Sequence, residues 1–313
     1  YCDFVYEEVP MYDPSDWMWY NTVSNNITDG WLWYLVKINA SQAWNITRGD
    51  PNVKIAVVDI GNVDYNHPEL ITKIDPLYDF YYPNSSTTPP SDHPTVVSSL
   101  LAAETADVGE TPQGSMASIG YKSKIMYSKG GLSACLYAST VLGAEILSIS
   151  WYYQTCAPSS YLLETEQEIL DNGTLIVRAA GNGIEDCNGN RLYPFSGYED
   201  DRVIVVSSTD FNDNHTNGTD THSHYAEVDI CAPGYHVMGA MPSIDSNGDP
   251  VSWPYYGSCS GTSFATPIVS GVAALIKSVN RCLSPADIQY IIKTTADPIA
   301  DASQYPGLVG AGR

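Results

Sequence analysis

Val53-Lys54-Ile55-Ala56-Val57-Val58-Asp59 is the stretch on which the fold turns: apart from Lys54 it is an unbroken apolar run, and it ends on a carboxylate. A strand with one wet face alternates apolar and polar residues, whereas a strand covered on both faces in a parallel sheet does not. Four further runs of this kind follow, at 146–149, 174–177, 203–206 and 228–231. Helical stripes stand between several of them. Val96, Val97, Leu100 and Leu101 make one, and Leu162, Leu163, Glu166, Ile169 and Leu170 make another, stopped by Asn172-Gly173. Strands alternating with helices predict an α/β fold, a doubly wound, mostly parallel sheet with helices on both faces. In such a fold, sites gather beyond the carboxyl ends of the strands.

Further out, residues 264–279 read as a long, almost wholly apolar helix that must lie inside the molecule. Ser284-Pro285 opens another, with a capping hydroxyl, a proline in the first turn, and Ile288, Ile291 and Ile292 on one face. Residues 1–50 are rich in Tyr, Trp and Asn without a sustained period, so they are expected to form an arm laid over a core domain of residues 51–313, one structural domain overall. No apolar stretch reaches the roughly 20 residues of a membrane span. The chain opens at Tyr1 without a basic, apolar leader, as a mature or trimmed form would.

Acidic residues outnumber basic ones 36 to 14, for a formal net charge of −22. Such a surface repels nucleic acid and anionic membrane and keeps a protein soluble, so neither is expected as a partner. The seven cysteines, at positions 2, 135, 156, 187, 231, 259 and 282, are too sparse for a disulfide scaffold and are not spaced as C-x-x-C zinc pairs. Asn-x-Ser/Thr sites recur at Asn26, Asn39, Asn45, Asn84, Asn172, Asn214 and Asn217; they would carry glycans in a eukaryotic secretory route and mean nothing in a bacterium.

A serine becomes a nucleophile when a neighbouring base takes its proton and a third group fixes that base. Gly257-Ser258-Cys259-Ser260-Gly261-Thr262-Ser263-Phe264-Ala265-Thr266-Pro267 surrounds one serine with small residues where a turn enters the buried helix. Small neighbours admit a substrate backbone, and a helix start favours developing negative charge. Pro267 has no N–H for the carbonyl of Ser263, which predicts an irregular first turn. By itself the segment also fits an ordinary helix start with serine caps.

Two further segments decide between these readings. Val57-Val58-Asp59-Ile60-Gly61 ends a buried strand with a carboxylate, and Asp92-His93-Pro94-Thr95-Val96-Val97 starts a buried helix with a histidine. Together with Gly261 to Pro267 they resemble the Asp, His and Ser segments of the subtilases, the subtilisin-like serine proteases, in the same chain order. The resemblance extends through Ile38-Asn39-Ala40, Ala43-Trp44, His67-Pro68-Glu69-Leu70, Ala179-Ala180-Gly181-Asn182, Ser223-His224-Tyr225, Ala232-Pro233-Gly234 and Gly310-Ala311-Gly312-Arg313.

What the resemblance implies is a secreted serine endopeptidase acting on peptides or proteins as a monomer, after removal of a propeptide. Ser263 would form an acyl-enzyme, His93 would move the proton, Asp59 would orient His93, and Asn182 with the Ser263 N–H would hold the oxyanion. Substrate would lie extended between Gly130-Gly131 and Ser150-Trp151-Tyr152, with Ala179, Ala180 and Gly181 as one wall of the primary pocket. The chemistry needs no cofactor; structural calcium is compatible with the resemblance, with Glu69 as one conceivable ligand.

The chain also departs from the family. Ile60 stands where Ser or Thr is usual, Pro94 where glycine follows the histidine, Val96 where a second histidine is usual, and Tyr152 where glycine borders the pocket. Tyr152 is expected to narrow or roof that pocket. Cys156 and Cys187 are expected to border it too and to form a disulfide across its rim. Cys259 is either a free thiol on the leaving-group side or a buried small side chain. His215, His222 and His224 read as part of a polar loop rather than as a metal site. Two rival functions are acyl transfer to an amine in peptide processing, and a binding protein whose catalytic site is impaired.

Overall fold

The computed structural model describes residues 31–75, 89–107, 116–151, 160–183, 200–215, 222–243, 249 and 255–313. Seven strands form its centre: β1 (Ile55–Asp59), β2 (Ile74–Asp75), β3 (Ile125–Lys129), β4 (Ile146–Ile149), β5 (Leu175–Ala179), β6 (Val203–Thr209) and β7 (Ile230–Pro233). All six pairings are parallel, in the spatial order β2-β3-β1-β4-β5-β6-β7. The order reverses at β1: the chain leaves it toward β2 and β3 on one side and resumes with β4 on the other. That reversal opens a crevice at the carboxyl ends of β1 and β4. A hairpin of β8 (Val237–Met241) and β9 (Tyr255–Cys259) stands apart from the large sheet.

The described helices are α1 (Trp33–Lys37), α2 (Ala40–Ile46), α3 (Asp92–Ala102), α4 (Leu132–Thr140), α5 (Ser160–Asp171), α6 (Thr262–Val279) and α7 (Pro285–Thr294). Strand periodicity sorts the core into two layers. Ile55 and Val57 of β1 pack in one cluster with Val97 of α3 and Ile268 of α6. Ala56 and Val58 pack in another with Cys135 of α4 and Ile169 of α5. Every residue of β1 is buried, as its unbroken apolar run requires. The doubly wound sheet read from the sequence is the one found.

Helix α6, at 18 residues, is long and apolar enough by length and composition to cross a membrane. Here it lies against β4, β5, β6, β7 and α3, with Ala265, Ile268, Ala273 and Ala274 buried in the core. Its polar residues turn their hydroxyls back on the helix, Thr266 to the Thr262 carbonyl at 2.9 Å and Ser270 to that of Thr266 at 3.0 Å. Helix α7 has the cap its sequence announces: the Ser284 hydroxyl accepts from the Asp287 N–H at 3.2 Å, and the Asp287 carboxylate accepts from the Ser284 N–H at 2.9 Å.

Three features differ from the sequence reading. Residues 31–50, which show no period, form α1 and α2, and Trp33, Tyr34, Leu35 and Trp44 are buried in the core. Helices this short present too few turns for a stripe to be recognised. Strand β3 was hidden because Ser128 and Lys129 interrupt its apolar residues. Glu166, counted with the apolar stripe of α5, is buried opposite Arg178 of β5 at 2.7 Å, so the core of that layer contains an ion pair.

Candidate active site

Asp59 ends β1 inside the crevice, with 1% of its surface exposed. Its Oδ1 accepts from the backbone N–H groups of Ile60 at 2.7 Å and Gly61 at 3.4 Å. Ile60 lacks the family's hydroxyl, and the turn supplies main-chain donors to the carboxylate; the Ile60 side chain is 69% exposed on the rim. The other oxygen, Oδ2, lies 2.8 Å from Nδ1 of His93. His93 is in the first turn of α3, and Pro94 fits there because first-turn N–H groups have no intrahelical acceptor. A carboxylate only accepts, so Nδ1 carries the hydrogen, and in the neutral ring this leaves Nε2 as the acceptor. The imidazole is half-buried, with its ring centroid 5.5 Å from that of Phe264, the residue after Ser263.

Ser263 is the second residue of α6. Its N–H has no intrahelical acceptor at that position. Its carbonyl, orphaned by Pro267 four residues on, accepts from the Ser150 hydroxyl at 2.7 Å. The irregular first turn expected from Pro267 is therefore repaired from the end of β4. In return, the Ser263 hydroxyl donates to the Ser150 carbonyl at 2.9 Å. Among the described residues Ser263 makes no hydrogen bond to His93, so the crevice assembles the carboxylate–imidazole pair and sets the serine beside it with its hydroxyl turned to β4.

Asn182 follows β5 and faces the same serine turn. Its Oδ1 accepts from the Thr262 N–H at 2.9 Å and the Thr262 hydroxyl at 3.1 Å, which fixes the amide so that Nδ2 points the other way. Gly261, with φ of 147°, must be glycine here: a Cβ would lie 3.2 Å from Nδ2 of Asn182. Thr262 also accepts from the Gly181 N–H at 3.1 Å. The sequence reading missed this role of Thr262, although it lies within the motif that singles out Ser263.

Ala179, Ala180 and Gly181 run from the end of β5 into this turn, all buried. Trp151 follows Ser150 and donates its indole N–H to the Val58 carbonyl at 2.8 Å. On the other side, only Gly130 and Gly131 link β3 to α4. The fold already uses the Gly130 N–H, on the Asp59 carbonyl at 2.7 Å, and the Gly131 carbonyl, on the N–H groups of Ala134 and Cys135. Any edge offered to substrate there is two residues long. Tyr152, Cys156 and Cys187 lie outside the described residues.

Cys259 pairs with Val237 in the β8–β9 hairpin as a half-buried free thiol. Burial, and then the charge of Asp92, push it up to about 11, so it stays protonated. The histidine cluster departs from the polar-loop reading, because His215 and His222 are buried. Among the described residues no three His, Cys, Asp or Glu side chains come together to hold a metal. Glu69, named above as a conceivable calcium ligand, is fully buried, and its Oε1 accepts from the Met116 N–H at 3.0 Å and the Tyr256 hydroxyl at 2.5 Å.

A buried carboxylate on an imidazole, beside a serine at the head of a buried helix and an amide facing that serine's turn, has the parts of a serine hydrolase's site. A model of the subtilase family matches residues 50–312. Thermitase of Thermoactinomyces vulgaris is 31% identical over 278 residues, covering 86% of this chain and 89% of its own length. Subtilisin Savinase of Lederbergia lenta is 29% identical over 286 residues, 89% of this chain and 96% of its own. The solved structure of the prenylagaramide maturation protease PagA superposes with a TM-score of 0.66 at 25% identity, covering 88% of this chain and 95% of that one. The chain belongs to the subtilase family.

Proposed function

We propose that the protein is a secreted endopeptidase that cleaves peptide bonds through an acyl-enzyme on Ser263, with His93 as general base and acid and Asp59 as its orienting carboxylate. The observation that carries this reading is the 2.8 Å contact between His93 Nδ1 and the buried Asp59, with the imidazole seated beside the Ser263 turn. The Ser263 hydroxyl turns about its Cα–Cβ bond toward Nε2, gives up its proton there, and its oxygen bonds to the substrate carbonyl carbon. His93 then protonates the departing amine, and water repeats the sequence to release the acid. The oxyanion is received by Nδ2 of Asn182 and the N–H of Ser263, which are held ready by the fold and need no reorganisation.

The substrate lies along Ser150-Trp151-Tyr152, facing Gly130-Gly131, with Ala179, Ala180 and Gly181 walling the pocket for the residue before the scissile bond. Tyr152 restricts that pocket, and a Cys156–Cys187 disulfide clamps its rim. Secretion is supported by the name of one relative, a halolysin-like extracellular serine protease of Natrialba magadii, 31% identical over 291 residues. The enzyme acts as a monomer, after loss of a propeptide. Likeness to a maturation protease favours, as a second reading, the processing of one precursor peptide.

A fluorophosphonate probe followed by peptide mapping tests the mechanism. One label per chain on Ser263, lost in Ser263→Ala, is the expected result. A chain that takes no label at Ser263 under conditions where it is folded overturns the reading in favour of a binding protein. Mass analysis of products from an unbiased peptide mixture then separates broad cleavage from processing at one sequence.

A further inference from the structure

The reciprocal bonds between Ser150 and Ser263 do two different things to one residue. The Ser150 hydroxyl, on a side chain that is almost wholly buried, fixes the backbone of the nucleophile by replacing the hydrogen bond that Pro267 cannot make. The Ser150 carbonyl accepts the nucleophile's own hydroxyl, which among the described residues makes no hydrogen bond to His93. Both partners are rigidly mounted. Ser150 directly follows β4, which pairs with β1 up to Val58–Ile149, and the next residue is tied to the Val58 carbonyl by the Trp151 indole. Ser263 sits on the 18-residue helix packed under the same strands. Rotation about one side-chain bond is the remaining freedom, and a rotamer change in an accessible side chain takes picoseconds to nanoseconds.

The same carbonyl lies on the edge along which an extended peptide would run. We propose that Ser150 is a positioning residue that locks the Ser263 backbone and holds the Ser263 hydroxyl in a resting rotamer, from which a substrate N–H arriving at the Ser150 carbonyl releases it to His93. This rests on the acyl-enzyme reading above and adds an order of events: the nucleophile is engaged with its base only once the peptide edge is filled. A second donor on a carbonyl weakens the first, and the freed hydroxyl finds in Nε2 of His93 a better acceptor than the one it leaves. No atom is exchanged in this step, only one hydrogen bond for another.

The experiment compares the ¹⁵N shift of His93 Nε2 in the intact enzyme and in Ser263→Ala, both without peptide, and measures Ser150→Ala kinetics in parallel. The expected result is the same His93 shift in both free proteins, because Ser263 is not on the imidazole at rest. Ser150→Ala is expected to lose about tenfold in kcat with KM unchanged within threefold, the size of one hydrogen bond to the nucleophile's backbone. A His93 shift that moves on removing Ser263 from the free enzyme overturns the resting rotamer. A Ser150→Ala loss that falls in KM instead overturns the positioning role. Fluorophosphonate labelling of Ser263 in the same preparations keeps the two readings apart: if the intact enzyme is labelled while either result goes the other way, this inference fails and the acyl-enzyme stands.

Discussion

Two groups of imidazoles lie beyond carboxyl ends of strands in the same sheet, and they use their nitrogens differently. His93 gives Nδ1–H to the buried Asp59, and among the described residues nothing takes Nε2. His215 bonds through Nδ1 to the Ser208 carbonyl at 3.2 Å, and through Nε2 to Nδ1 of His224, also at 3.2 Å. His222 bonds to the Ser208 hydroxyl through Nδ1, and its buried Nε2 has no hydrogen-bond partner among the described residues. An imidazole does acid–base chemistry only with one nitrogen to spare and a route for its proton. His93 has both, whereas His215 is fully buried, with both nitrogens committed, and is packed edge-on against Tyr305 at 5.0 Å. The carboxylate near His215, Asp301, bonds its backbone N–H and not its ring. What separates the proposed general base from a structural histidine here is the partner on each ring nitrogen, which the spacing of histidines along the chain does not record.

The sharpest way to break this comparison is to remove the acceptor on His93. Asp59→Asn offers an amide, which favours the wrong tautomer, and kcat should fall about 10⁴-fold with the fold intact, measured by steady-state cleavage and circular dichroism. A loss below tenfold would make Asp59 no more than a packing residue. Next, Asn182→Ala removes the amide that faces the serine turn. A drop of about 10²- to 10³-fold, in kcat and not KM, is expected from kinetics on one peptide. The cavity left at Thr262 is a separate effect, read from the melting temperature.

The smallest effect belongs to the other cluster. Burial, then His224 and His222, push His215 down to about 4 from an ordinary 6.5. The unfolded chain therefore binds a proton between these values that the folded one refuses. Stability is full above pH 6.5 and is lost as the pH falls toward 4, by on the order of 3 kcal/mol at most. Urea melts from pH 7 to 4 should show this loss. His215→Gln, which cannot be protonated, should reduce the slope, leaving the part that comes from His222, which burial also pushes down. A slope that His215→Gln does not alter would assign the acid sensitivity to other groups.

Much of the fold was legible because a strand buried on both faces must be apolar throughout. The run into Asp59, with those at 146–149 and 203–206, states this without ambiguity. Elements that break the rule were not legible. Strand β3 carries Ser128 and Lys129 near the crevice, and the buried Glu166 passes for part of an apolar stripe because its partner Arg178 lies on another strand. The cap of α7 was readable because its partners are three residues apart.

The sequence by itself singled out the candidates for the chemistry: Asp59 closing a buried strand, His93 opening a buried helix, and Ser263 among small residues before Pro267. These are local facts of residue type and order. Only the tertiary structure decided how they engage. Ser150, 113 residues away in sequence, repairs the carbonyl that Pro267 orphans and takes the serine's hydroxyl. Main-chain donors of the turn at Ile60 hold the Asp59 carboxylate, and Thr262 aims the Asn182 amide. A hydrogen bond between distant residues depends on where two rigid elements place their ends, and that position comes from packing of the whole core.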